Sequence, residues 1–173
     1  MQYRNLVRKV VWMFAFFVSA FVATAQIGPV GGGQGGPPEM AITTYQQTTG
    51  ATPGEAARLA VVIEIPEGWH INAHQPLDEY LIPTEVEFEP PQGFVFKGVV
   101  YPEPILASFS FSEEKLAVYE HRATIGIVIG VGENVAPGEY ELTGTLRYQA
   151  CNDTVCAPPK TVPFTATLAV VAP

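Results

Sequence analysis

The chain has 173 residues, 47% hydrophobic and 15% charged, a composition that suits one packed domain and excludes a wholly disordered protein. Its formal net charge of −8 becomes −11 beyond residue 25, because all 17 acidic residues but only six of the nine basic ones lie there. A field of that sign disfavours nucleic acid and anionic membrane surfaces as partners, since both need positive charge on the protein.

Arg4, Arg8 and Lys9 precede an almost wholly apolar run over residues 10–22, which ends at Ala23-Thr24-Ala25, a small-x-small cleavage pattern. Residues 1–25 therefore read as a signal peptide, with the mature chain beginning at Gln26 and exported. The apolar run is shorter than the roughly 20 residues of a comfortable membrane span, so no stable membrane insertion is expected once the leader is removed. Residues 26–39 are rich in Gly and Pro without an apolar period and read as a flexible tether. The folded domain is expected over residues 40–173.

From Met40 onward the pattern is that of strands bounded by Gly and Pro: residues 42–48, 57–65 and 69–72, then 84–89 and 94–101. Val86 and Phe88 alternate with Glu85, Glu87 and Glu89, which predicts one buried and one wet face. Residues 102–115 read as an irregular loop carrying Phe109 and Phe111. Residues 118–131 read as one long strand, 139–150 as another and 161–171 as the last. No segment has a sustained helical period. Seven or eight short strands with turns every 8 to 15 residues predict an all-β, immunoglobulin-like β-sandwich.

The chain's two cysteines, Cys151 and Cys156, enclose Asn152-Asp153, which is turn chemistry, and Pro158-Pro159 prevents ordinary strand pairing just after the second sulfur. In an exported chain two such thiols are expected to pair. As a staple the bond closes only a short loop, worth about 2 kcal/mol against about 4.7 for a 100-residue loop. The usual sandwich disulfide joins distant strands beside a tryptophan, and Trp69, 82 residues before Cys151, does not fit that pattern. Residues i and i+5 across a four-residue hairpin loop can reach the roughly 4.4–6.8 Å Cα separation of a disulfide, so the pair can open and close cheaply. The spacing does not match a four-ligand zinc site, and no cofactor is implied. Asp153 and the acidic domain argue against a self-activated thiol, which leaves a disulfide attacked by a partner's thiolate. Spacing alone leaves two readings open: a redox relay, and a non-catalytic exported binding module with a structural hairpin disulfide.

Tyr148-Gln149-Ala150-Cys151, Cys156-Ala157-Pro158-Pro159 and Thr161-Val162-Pro163 resemble the corresponding pattern of the amino-terminal domain of the DsbD thiol:disulfide interchange proteins. Gly68-Trp69-His70-Ile71-Asn72, Pro76-Leu77, Ile82-Pro83-Thr84 and Val118-Tyr119-Glu120 extend the likeness. The resemblance implies an immunoglobulin-like, periplasmic domain whose Cys151/Cys156 pair is catalytic, carrying reducing equivalents between thioredoxin-like redox proteins and other exported proteins. It further implies that Cys156 forms the mixed disulfide and Cys151 resolves it, and that a cap loop bearing Phe109 or Phe111 covers the bond. The family's best-known members space their cysteines more widely and carry acidic residues in the cap, for which Glu113 and Glu114 are the candidates here. The chain departs from the full interchange proteins in having no Cys-x-x-Cys, so the donor is expected to be a separate protein, and the domain itself a monomer.

Other candidates are weaker. His70 and His74 would share a face of an extended strand, yet no third ligand accompanies them, and His121 has no evident partner. Glu85, Glu87 and Glu89 read as a solvated strand face. Hydrolase and phosphate-loop motifs are absent from the sequence.

Overall fold

Short runs of β-branched and aromatic residues between Gly and Pro become eleven strands in the computed structural model, which describes residues 36–47 and 50–173. The expected leader, and the tether up to residue 35, lie outside the described residues. The strands are β1 Ala41–Gln46, β2 Ala56–Glu64, β3 His70–Asn72, β4 Glu85–Phe88, β5 Phe94–Val100, β6 Ile105–Ala107, β7 Leu116–Glu120, β8 Arg122–Val131, β9 Gly138–Tyr148, β10 Ala150–Cys151 and β11 Lys160–Val170. They form three antiparallel sheets, ordered β1-β2-β8-β5, β11-β9-β4 and β10-β3-β7-β6.

Alternation decides which side of each strand is buried. In β8 every second residue from Ala123 to Val131 is buried, and in β11 the same holds for Phe164, Ala166, Leu168 and Val170. Leu59, Val61 and Ile63 of β2 and Ile125, Ile127 and Ile129 of β8 meet Val86 and Phe88 of β4, Leu142 and Leu146 of β9, and β11 in one apolar cluster. Ile71, Tyr119 and Ala150 extend that cluster into the third sheet. The fold is an all-β immunoglobulin-like sandwich. Along one side, β1 meets β11 through side chains: Gln46 accepts from the Ala169 N–H at 2.8 Å and donates to the Ala169 carbonyl at 3.2 Å, while Thr44 donates to the Thr165 carbonyl.

Besides residues 139–150, expected as one strand but divided between β9 and β10 in different sheets, two elements differ from the sequence expectation. Residues 118–131 are not one strand: His121 adopts φ 59°, a left-handed conformation that ends β7 and starts β8 in a different sheet. The companion strand bends at the same level through Pro66-Glu67-Gly68, where Gly68 has φ 77°, and Ile65 donates to the His121 carbonyl at 2.8 Å. The antiparallel β2–β8 ribbon thus continues, past a bend, as β3–β7. Hydrophobic alternation on both sides of His121 conceals the break. The second difference is β6, three residues inside the segment expected to be a loop, which pairs with β7 and starts the cap.

Gly144, in the central strand β9, lies opposite both Phe88 and Phe164. A Cβ there would stand 2.5 Å from Phe164 Cζ and 2.8 Å from the Glu87 carbonyl oxygen, and the latter is backbone that cannot step aside. Gly144→Ala is expected to cost about 2 kcal/mol by overpacking. Gly126→Ala, whose Cβ comes no nearer than 3.6 Å to Val100, should stay within about 0.5 kcal/mol in urea unfolding. Equal losses at the two sites would contradict this packing.

Candidate functional site

Leaving β9 at Tyr148, the chain crosses to the third sheet, and β10 pairs with β3 over two residues, Ala150 with Ile71 and Cys151 with His70. It then turns back. Asn152 builds the turn: its side-chain oxygen accepts from the backbone N–H of Thr154 and Val155, both at 2.9 Å, and its own N–H donates to the Val155 carbonyl. Ala157 N–H donates to the Ala150 carbonyl at 2.8 Å. With hydrogen bonds at 152–155 and 150–157, the intervening pair Cys151–Cys156 occupies the non-hydrogen-bonded position, where an antiparallel ladder brings chains closest. That position accounts for a Cα separation of 4.0 Å, just below the range expected from sequence, and the two sulfurs are bonded.

The pair is asymmetric in exposure. Cys151 is fully buried and Cys156 only partly so. Yet Cys151 lies outside the main apolar cluster, because the register places it on the other face of the third sheet from Ala150, Ile71 and Tyr119. Residues directly opposite in antiparallel strands share a face, so Cys151, His70 and Glu120 form one row across β10, β3 and β7.

The loop after β6 lies against the middle residue of that row, His70. The Phe109 ring stacks on the His70 imidazole with centroids 4.0 Å apart, and Phe111 stacks on Phe109 at 5.5 Å while remaining 43% exposed. Ser110 donates to the Asp153 carbonyl at 2.7 Å, tying the loop to the tip of the cysteine turn. His70 is consequently only 2% exposed, and its Nε2 has no hydrogen-bond partner. Desolvation holds its pKa down at about 4, with the Asp153 charge acting in the opposite direction.

A polar brace sets the base of the hairpin. Gln149 donates to the Ala157 carbonyl at 3.1 Å, and its oxygen accepts from Asn72 at 3.1 Å. Asn72 also donates to the Ile82 carbonyl, and Thr84 donates to the Asn72 carbonyl at 2.6 Å. Sequence reasoning took Gln149 only as part of a motif, and it weighed His70 only as a metal ligand. The pairing of β10 with β3, which makes His70 the neighbour of Cys151, has no local signal.

The remaining candidates lie elsewhere. His74 stacks flat on Tyr101 at 3.7 Å, with Nδ1 3.1 Å from the Thr84 carbonyl oxygen, so the two histidines considered as a metal pair face different aromatic rings. Among the described residues no group of three or more His, Cys, Asp or Glu converges as a metal site. Glu85 pairs with Arg147 at 3.3 Å on a half-exposed strand face. Glu113 and Glu114 are exposed in the cap loop.

Residues 40–168, about three quarters of the chain, match the family described as thiol:disulfide interchange protein DsbD, N-terminal. The chain belongs to that family. No curated protein sequence matches it. Among solved structures it is similar to the N-terminal periplasmic domain of ScsB from Proteus mirabilis, at 12% identity and TM-score 0.47, over 73% of this chain and 44% of that one. It is also similar to BcpA, the major pilin subunit of Bacillus cereus, at 13% identity and TM-score 0.41, over 76% of this chain and 40% of that one. The chain therefore spans less than half the length of either structure.

In this DsbD-family domain the buried, neutral His70 links stability to pH. Its folded pKa lies below its unfolded value of 6.5, so the unfolded chain gains the proton first as pH falls. Stability from this group is complete above about pH 6.5 and is lost toward pH 4, by on the order of 2 kcal/mol between pH 7 and 4.5. Phe109→Ala, which returns the ring to water, is expected to remove more than half of that difference in urea midpoints measured at the two pH values.

Proposed function

We propose that this domain is an exported, periplasmic thiol:disulfide interchange module, relaying reducing equivalents between a thioredoxin-like donor and other exported proteins through Cys151 and Cys156. The observation that carries the reading is the asymmetry of the pair: one cysteine fully buried and the other partly exposed, facing each other at the narrow position of a hairpin, with Cys151 outside the main core. Family membership and a leader of the kind expected over residues 1–25 support the same reading.

The chemistry follows from access. A partner thiolate attacks Cys156 Sγ, a new partner–Cys156 bond forms, and the intramolecular bond breaks with its electron pair going to Cys151. The partner's second thiol then attacks its own sulfur in the mixed disulfide, leaving the domain with two thiols and the partner oxidised. Running the sequence backward on an oxidised recipient passes the two electrons on, with Cys151 as the resolving thiol. No prosthetic group is needed for these steps. Phe109 serves as the lid over the pair, since it lies against His70, the cross-strand neighbour of Cys151, while Phe111 backs it from the solvent side. The acidic surface suits a carrier that is attacked by its partner rather than one that activates its own thiol.

Reduction in a dithiol buffer series is expected to be reversible with unchanged far-UV circular dichroism. Cys151→Ser should trap mixed disulfides with thioredoxin-like proteins through Cys156, whereas Cys156→Ser should trap at least tenfold less, because Cys151 is inaccessible. A bond that resists reduction until the domain melts, or an absence of adducts, would assign the cysteines to a structural staple in a binding module instead.

A further inference from the structure

The row Cys151–His70–Glu120 contains a group that electron exchange alone does not require. His70 is an imidazole sealed under Phe109, its Nε2 free of any hydrogen bond, directly across the ladder from the more buried sulfur. Directly opposed residues in an antiparallel pair have Cβ atoms about 4.5–5.5 Å apart, within reach of a side-chain proton transfer. A buried polar nitrogen without a partner is costly to a fold. Phenylalanine or leucine would fill the same space without that cost.

We propose that His70 accepts and returns the Cys151 proton during exchange, acting as the general base for the resolving thiol. This inference rests on the interchange reading above. In the resolving step the Cys151 proton passes to Nε2, the ring's own proton being on Nδ1, as the Cys151 sulfur attacks Cys156 Sγ. The Cys151–Cys156 bond forms, the partner–Cys156 bond breaks, and the partner's sulfur leaves with the electron pair and takes up a proton as the ring releases one. This step carries one proton from Cys151 to the partner's leaving sulfur, and over both steps two protons and two electrons move from the domain's dithiol to the partner's disulfide. The need is physical: a thiol buried away from cations ionises less readily than an ordinary one near pH 8.5, and only the thiolate attacks.

Charged groups on the elements packed against the ring are Asp153 in the hairpin, Glu120 in β7 and, along the cap loop, Glu113, Glu114 and Lys115. Of these only Asp153 has a resolved effect, and it favours the protonated ring. With the disulfide closed, desolvation keeps the imidazole neutral. Once the bond opens, ionisation of Cys151 places a negative charge beside the ring and raises its affinity for the proton, so the thiolate and imidazolium support each other.

The test follows the reduced protein reacting with a dithionitrobenzoate, which releases one coloured thiol when Cys156 is captured and a second when Cys151 resolves the adduct. In both His70→Phe, which keeps the stack with Phe109, and His70→Gln, the first release is expected to be unchanged. The second should slow by about tenfold or more near pH 7. Near pH 10, where hydroxide can take the thiol proton in place of the ring, the variants should approach the wild-type rate. An unchanged second release at neutral pH, or the same slowing at both pH values, overturns the proposal, the latter pointing to altered geometry instead. Should neither variant fold, the wild-type protein still decides: His70 ring signals are expected to titrate at higher pH in the dithiol form than in the disulfide form, and identical titrations overturn it. Neither release needs a protein partner, so failure of thioredoxin-like proteins to reduce the bond would refute the relay while leaving this measurement valid.

Discussion

The site depends on a very short ladder, the pairing of Ala150 and Cys151 with Ile71 and His70. Those two residues of β10 transfer the chain from the sheet containing β9 to the sheet containing β3, and the hairpin that follows is built on them. Because an antiparallel pair alternates wide and narrow positions, the hydrogen bonds at 150–157 and 152–155 leave Cys151 and Cys156 at the narrow one. The disulfide joins residues that the backbone already holds together, and its loop entropy is correspondingly small. Such a bond is ill suited to stabilising a fold and well suited to being opened.

The bend in the sandwich serves this arrangement. If the β2–β8 ribbon ran straight, β3 would extend the main sheet, and Cys151 would have no separate surface to occupy. His121 in its left-handed conformation and Gly68 at the matching level turn the ribbon into a second sheet. One face of that sheet packs Ile71, Tyr119 and Ala150 into the core, while the opposite face carries Cys151, His70 and Glu120, with Phe109 stacked on His70. The disulfide and the packed core thereby lie on opposite sides of the same few residues. The side chains of Gln149 and Asn72 keep the two sides in register through hydrogen bonds that do not involve sulfur.

Much of the fold was legible because period-two burial is local information. The alternation in Glu85–Phe88, the Gly and Pro boundaries and the lack of helical period identified strands at nearly every place where the structure has one. His121 was not legible, since a residue other than glycine taking a positive φ leaves no trace in hydrophobic pattern. Nor was β6, whose three residues are too few to show a period. At the site, Asn152 announced its turn through well-known side-chain chemistry, and the cysteine spacing suggested a facing pair. The neighbour of Cys151 was invisible, because 81 positions separate it from His70 and only the tertiary path of β10 brings them side by side. Histidine also reads ambiguously from sequence, as metal ligand, core residue or base. Burial, the stacked Phe109 and an unpaired nitrogen were needed to narrow it.

The hydrogen bonds that frame the cysteines have a consequence for how long a complex with a partner would last. None of the Asn152–Val155, Ala157–Ala150 or Gln149–Ala157 bonds uses a sulfur atom, so opening the disulfide removes nothing from the frame that holds the two side chains together. The freed Cys151 sulfur stays beside Cys156 at a high effective concentration, set by a four-residue turn rather than by diffusion. Under the proposed exchange, a covalent complex on Cys156 would therefore be under constant attack from within the domain. Any partner must complete its own second step faster than that, or be released unchanged. Dwell time, rather than affinity, would then be the quantity by which a domain with the proposed function distinguishes its partners from other thiols.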